Sequence, residues 1–147
     1  MKTILVPIDF SDVTSRLIAA AEKLGLAFGS QLVLIHVSEP ELDYVGLGPG
    51  AEGVGISVPR DFKAEQAKLD RWKGTLTSAG LETHALRVEG PAVEKILDEA
   101  SRINADLIVV GSHGHGALYE LLVGSVTSGI LKRARCPVLV VPAIPGK

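Results

Sequence analysis

The chain has 147 residues, 15 lysines and arginines against 17 acids, a formal charge of -2 and 46% hydrophobic residues, the profile of one domain able to bury a full core without staples or metal. Only 22% of residues are charged and no basic stripe stands out, so a nucleic-acid partner is not expected; no apolar run nears the ~20 residues of a membrane span, and no leader pattern opens the chain. A lone cysteine, Cys136, makes no internal disulfide and no zinc cluster, so a reducing, cytoplasmic setting is expected.

In chain order, Thr3 to Ile8 (T-I-L-V-P-I) is the first β-branched apolar run, read as a strand covered on both faces. Pro7 inside it lacks an N–H, so it is expected where the strand leaves the sheet. Ser11 is the expected N-cap of a first helix whose stripe is Val13, Leu17, Ala20, Ala21 and Leu24, with Gly25 as its stop. Gln31 to Val37 is a second buried strand. Tyr44 to Pro59 has five glycines in sixteen residues and no period, which predicts a flexible loop at about 44–59.

A second helix carries Phe62, Leu69, Trp72, Leu76 and Ala79 and ends at Gly80; Trp72 is expected in the core. Glu82 to Val88 alternates, with His84, Leu86 and Val88 on one side, and so predicts an edge strand. Pro91 suits the first turn of a third helix with stripe Val93, Ile96, Leu97, Ala100 and Ile103. Asp106 to Val110 is a fourth strand, Val126, Ile130, Leu131 and Ala134 mark a fourth helix, and Val138 to Val141 is the last strand. Lys132, Arg133 and Arg135 complement that helix's dipole. Strand and helix alternate throughout, which predicts a single α/β domain over 1–147: an open, five-stranded parallel sheet, doubly wound, with helices on both faces.

The chemistry concentrates after the fourth strand, in G-S-H-G-H-G-A-L-Y-E-L-L-V-G-S-V-T from Gly111 to Thr127. A glycine-rich turn at the carboxyl end of a parallel strand, running into a helix that opens Gly-Ser-Val-Thr, suits a phosphate group. Glycines admit backbone N–H groups to the anion, the helix N-terminus attracts it, and Ser125 and Thr127 add hydroxyls. Open α/β sheets bind ligands at this end. The loop has no lysine of the G-x-x-x-x-G-K-[ST] kind, and no G-x-G-x-x-G follows the first strand, so the P-loop and dinucleotide readings fail.

At these residues the chain resembles the universal stress protein family, in its ATP-binding branch. That branch's G-x2-G-x9-G-[ST] pattern is met by Gly111, Gly114, Gly124 and Ser125, and the opening I-L-V-P-I-D-F-S, the D-L-I-V-V-G-S-H-G block and the closing C-P-V-L-V-V-P extend the likeness over the whole chain. The resemblance implies a Rossmann-like, adenine nucleotide α-hydrolase-like sheet of order 3-2-1-4-5, holding ATP with any Mg²⁺ kept mainly by the phosphates. Carried over by position, Pro7, Ile8 and Asp9 line the adenosine end and Val37 offers its backbone to adenine. Gly111, His113, Gly114, Gly124, Ser125, Val126 and Thr127 hold ribose and phosphates. His115 and Gly116 stand where some relatives carry a longer or more basic residue.

Each of these residues also has a plainer role open to it. Asp9 with Ser11 is also ordinary helix-terminal chemistry. His113 and His115, H-x-H without a third ligand in recognisable spacing, give no metal site. His36 and His84 are expected to be structural, and Cys136 is expected to be a small buried thiol.

Two classes of function follow: a nucleotide-dependent stress-response or regulatory module, or a slow nucleotide hydrolase or related nucleotide-processing enzyme. The first is favoured, because the loop brings no lysine, arginine finger or paired carboxylates. With order 3-2-1-4-5 the last strand is an edge that is apolar on both faces, so a homodimer through Val138 to Val141 is expected. The 44–59 loop, at the mouth of the crevice, is expected to be mobile when empty and to order on ATP. No residue speaks to a further protein partner.

Overall fold

A computed structural model describes residues 1–39, 61–112 and 124–143. The alternating pattern becomes β1 (Thr3–Pro7), α1 (Thr14–Phe28), β2 (Gln31–Ser38), α2 (Phe62–Ser78), β3 (Thr83–Glu89), α3 (Ala92–Arg102), β4 (Leu107–Gly111), α4 (Ser125–Arg133) and β5 (Val138–Val141). All neighbouring strands pair in parallel, in the order β3-β2-β1-β4-β5. Successive residues of a strand point to opposite faces. Ile4, Val6, Leu32 and Leu34 therefore pack beneath α1 and α2, while Leu5, Val33, Ile35 and Ile108 pack beneath α3 and α4. Both faces are covered, which is why β1, β2 and β4 read as unbroken apolar runs. β3 lies at the edge and alternates as expected, Ala85 joining one layer and Leu86 and Val88 the other.

Pro7 closes β1. The Asp106 N–H donates to Thr3 O and the Ile8 N–H donates to Ile35 O, so Thr3, Leu5 and Pro7 turn their backbone toward β4 and the even residues toward β2. The β1–β4 pairing stops at Leu5↔Ile108, whereas β1–β2 continues to Pro7↔Ile35. The N–H that proline lacks would face the side where the ladder has already ended, so no sheet bond is lost.

Two helix ends differ from expectation. Ser11 is not the N-cap: α1 starts at Thr14 with Val13 at the cap position, and among the described residues Ser11 Oγ has no hydrogen-bond partner. The Ser11 carbonyl instead accepts the Thr14 N–H at 3.0 Å, forming a turn before the helix. Gly25 does not stop α1; it is buried within it, and the left-handed residue that ends the helix is Gly29, φ 64°. A Cβ at Gly25 would lie 2.9 Å from Leu81 Cδ2, so this glycine serves packing, a need visible only in three dimensions. Gly80, φ 93°, follows α2 as expected, and Pro91 sits one residue ahead of α3, at its N-cap. Trp72 packs on the α1–α2 layer. Leu131 and Phe62 are exposed, Phe62 lying beneath the Arg87 guanidinium at 4.2 Å. The 44–59 loop lies outside the described residues.

Candidate nucleotide crevice

β1 leads toward β2 and β4 toward β5, so their carboxyl ends diverge at the centre of the sheet. A crevice of about 660 Å³ opens there, the place where open α/β sheets take ligands. The other ends of the two strands are clamped. Asp106 Oδ2 accepts the Lys2 and Thr3 N–H groups at 2.7 and 2.9 Å, and the Thr3 and Lys2 amides hold its carboxyl below the ordinary range.

Pro7, Ile8, Asp9 and Val37 line one end of the crevice, and Gly111, Val126 and Thr127 the other. Odd residues of β2 turn their backbone toward β1, so Val37, beyond the final pair Pro7↔Ile35, presents its N–H and carbonyl past the end of β1. Asp9 Oδ1 accepts the Ser11 N–H at 3.0 Å, the local turn chemistry that is its plainer role. Gly124 and Ser125 stand at the start of α4, beside the crevice rather than in its lining. His113, Gly114 and His115 lie outside the described residues.

Gly124 occupies the N-cap of α4 with ordinary extended geometry, φ -53° and ψ 157°, and no acid stands in the first turn. The amides that open α4 thus meet neither a capping side chain from Gly124 nor an acid in that turn to offset the dipole, the condition under which a helix N-terminus attracts an anion. Thr127 is buried, and its hydroxyl donates to Gly111 O at 2.9 Å. In this arrangement its proton ties α4 to the end of β4. Gly111 is similarly constrained by packing, since a Cβ there would lie 2.6 Å from Val13 Cγ1.

Sequence reasoning missed several lining residues: Phe10, His36, Glu39, Glu65 and Lys68. Phe10 adopts a left-handed φ of 61°, rare for a bulky residue, and its ring lies 4.6 Å from that of His36. Lys68 Nζ stands 5.4 Å from the Phe10 ring centre. His36 does have the structural bond expected of it, to Ile8, but also borders the crevice. Glu65 and Lys68 look in sequence like ordinary solvated positions of α2, and only contacts with His36 and Ser38, nearly thirty residues earlier, and with Phe10, nearly sixty earlier, reveal them. Elsewhere, burial pushes the Cys136 thiol up from its usual range, which disfavours the reactive thiolate. Among the described residues no three His, Cys, Asp or Glu gather as a metal site, and no helix is long and apolar enough to cross a membrane.

The model of the universal stress protein family matches residues 1–142. A universal stress protein of Thermus aquaticus is 36% identical over 140 residues, covering 95% of this chain and 98% of its own. Universal stress protein MJ0577 of Methanocaldococcus jannaschii is 31% identical over 153 residues, covering 95% of this chain and 94% of its own. The solved structure of MJ0577 matches with a TM-score of 0.76 at 27% identity, over 99% of this chain and 98% of that one. A universal stress protein solved in complex with cAMP shares the fold, with a TM-score of 0.71 at 23% identity and 96% of each chain covered.

Proposed function

The chain belongs to the universal stress protein family, and from that premise we propose that it is an ATP-binding regulatory module in which nucleotide occupancy is the signal. The observation that carries this reading is the pairing, across one crevice, of the α4 N-terminus without a first-turn acid and the outward-facing Val37 backbone beyond β1. The first suits phosphates and the second the hydrogen-bonding edge of a base. Relatives solved with cAMP and with dAMP support an adenine nucleotide as the ligand class. In this reading Pro7, Ile8 and Asp9 border the adenosine, Gly111, His113 and Gly114 the ribose and phosphates, and Gly124, Ser125, Val126 and Thr127 the phosphate end. Mg²⁺ arrives with the phosphates. Isothermal calorimetry with MgATP should give saturable one-site binding; no heat at any concentration would overturn the proposal.

Binding rather than turnover is the output. Hydrolysis needs an oriented water and charge neutralisation at the γ-phosphate, and Asp9, the carboxylate nearest that role, already accepts the Ser11 amide. Steady-state phosphate release is expected well below the ~1 s⁻¹ at the low end of ordinary enzymes. Faster turnover that vanishes in Asp9→Ala would make the protein an enzyme.

We also propose a homodimer through β5. The Ile108 N–H donates to Pro137 O and the Ser112 N–H to Val141 O, so odd residues of this strand face β4 while Val138 and Val140 turn their backbone to the open edge. Leu139 is 40% exposed, and an open apolar edge invites a second strand. Val140→Pro removes one outward N–H and no β4–β5 bond. Light scattering should find the parent chain dimeric and this variant monomeric with unchanged circular dichroism; a monomeric parent would refute the assembly.

A further inference from the structure

His36, at the floor of the crevice, is a buried titratable group that the nucleotide reading leaves unused. Its Nδ1 lies 2.7 Å from the Ile8 carbonyl oxygen. A carbonyl has no proton to give, so Nδ1 carries the hydrogen and the neutral ring leaves Nε2 as a bare acceptor. Among the described residues Nε2 is buried without a hydrogen-bond partner, and it stands 3.6 Å from Glu65 Oε1, which is also an acceptor. Two acceptors cannot bond to each other. One proton on Nε2 turns the contact into a charge-assisted hydrogen bond. The carboxylate is held in place for it, because Ser38 Oγ donates to Glu65 Oε2 at 2.8 Å.

We propose that His36 and Glu65 form a proton-operated latch between β2 and α2, open while His36 is neutral and closed when Nε2 is protonated, and that closing it strengthens the crevice's hold on an anionic ligand. The last clause rests on the nucleotide reading; the latch itself does not.

The charges around the ring set the sign. From α2 come Glu65 and Lys68, from the end of β1 Asp9, and after β2 Glu39, all lining the crevice. Arg87 of β3 is in register with His36, but its guanidinium is engaged by Glu89 at 3.2 Å and by the Phe62 ring. Among the described residues the lining thus carries three carboxylates and one ammonium, a balance that opposes phosphates. Protonating His36 adds one positive charge, which offsets that of Glu65, so an anion binds more tightly to the protonated form. By linkage, such a ligand takes up a proton as it binds.

The test is MgATP calorimetry on the parent chain, H36Q and E65Q at about pH 6 and about pH 8, where histidine changes charge. H36Q reports the nucleotide's own titration. Relative to it, the parent should bind about fivefold more tightly at the lower pH, the size of one partly screened charge. In E65Q the amide can donate to the neutral Nε2, which closes the latch without a proton, so affinity at the higher pH should rise and the pH step shrink. Equal steps in the parent and H36Q would overturn the coupling to binding. Nitrogen NMR of the ring, without nucleotide, reads the latch alone: a proton on Nδ1 only at the higher pH, and a hydrogen-bonded Nε2–H at the lower pH that weakens in E65Q. An Nε2–H tautomer at the higher pH would overturn the latch. A parent chain that takes no ATP at either pH would sink the nucleotide reading and the affinity clause with it, while the NMR result still decides the latch.

Discussion

Gly124→Asp is expected to lose about 30- to 1,000-fold of ATP affinity while melting no lower than the parent chain. The backbone at Gly124 is extended with negative φ, a conformation open to any residue. Aspartate is among the preferred N-caps, and in place of a glycine cap it adds about a few tenths of a kcal/mol of helix stability. In the bound state the same carboxylate works against the ligand. It competes for the amides of the first α4 turn and sets a fixed negative charge against the phosphates, two effects of about 1–2 kcal/mol each even in a polar setting. Stability and affinity therefore move in opposite directions, a combination that general damage does not produce. Calorimetry and a thermal melt on the same sample read both, with Gly124→Ser as the neutral cap that should retain binding. Undiminished ATP affinity in Gly124→Asp would mean that the phosphates do not lie at the start of α4.

Gly111→Ala should destabilise the fold by about 1–3 kcal/mol with no ligand present, the usual cost of overpacking a tight contact. The added Cβ would meet Val13 Cγ1 at 2.6 Å and Cγ2 at 3.3 Å. Val13 is 6% exposed, and its β-branched side chain, at the start of α1, has few rotamers into which to retreat. Removing the obstacle should relieve the strain, so Gly111→Ala in a Val13→Ala background should cost less than in the parent. A coupling of about 1–2 kcal/mol is the expected result of the urea-denaturation cycle. Additive costs would show that the two residues do not press on each other. The consequence reaches the motif itself: the first glycine of G-x2-G-x9-G-[ST] is required by the packing of α1 on β4, whatever the crevice holds.

The contrast between Gly111 and Gly124 shows where sequence reading stops. In the motif both appear as residues that let a backbone approach phosphate. In the fold Gly124 stands at the N-cap of α4 with ordinary extended geometry, while Gly111 answers to Val13, almost a hundred residues earlier in the chain. Thr127 likewise reads as a spare hydroxyl donor, but its proton is directed to Gly111 O. His36 reads as a strand residue of no special interest, and its chemistry comes from Ile8 and Glu65 approaching its two nitrogens from opposite sides in sequence.

What the sequence determined by itself was the kind and order of the nine elements among the described residues, the edge character of β3 and the end of β1 at Pro7. These rest on periodicity, on proline's missing donor and on right-handed crossovers, all of which act over a few residues or one βαβ unit. Only the tertiary structure decided that Gly25 packs against Leu81 instead of ending α1, that Ser11 makes a turn instead of a cap, and that Phe10, His36, Glu65 and Lys68 meet in one crevice. The physical reason is that close approach and partner choice depend on which side chains arrive from distant segments. A glycine or a histidine carries no local mark of what it will touch, since its neighbours are chosen by the packing of whole layers.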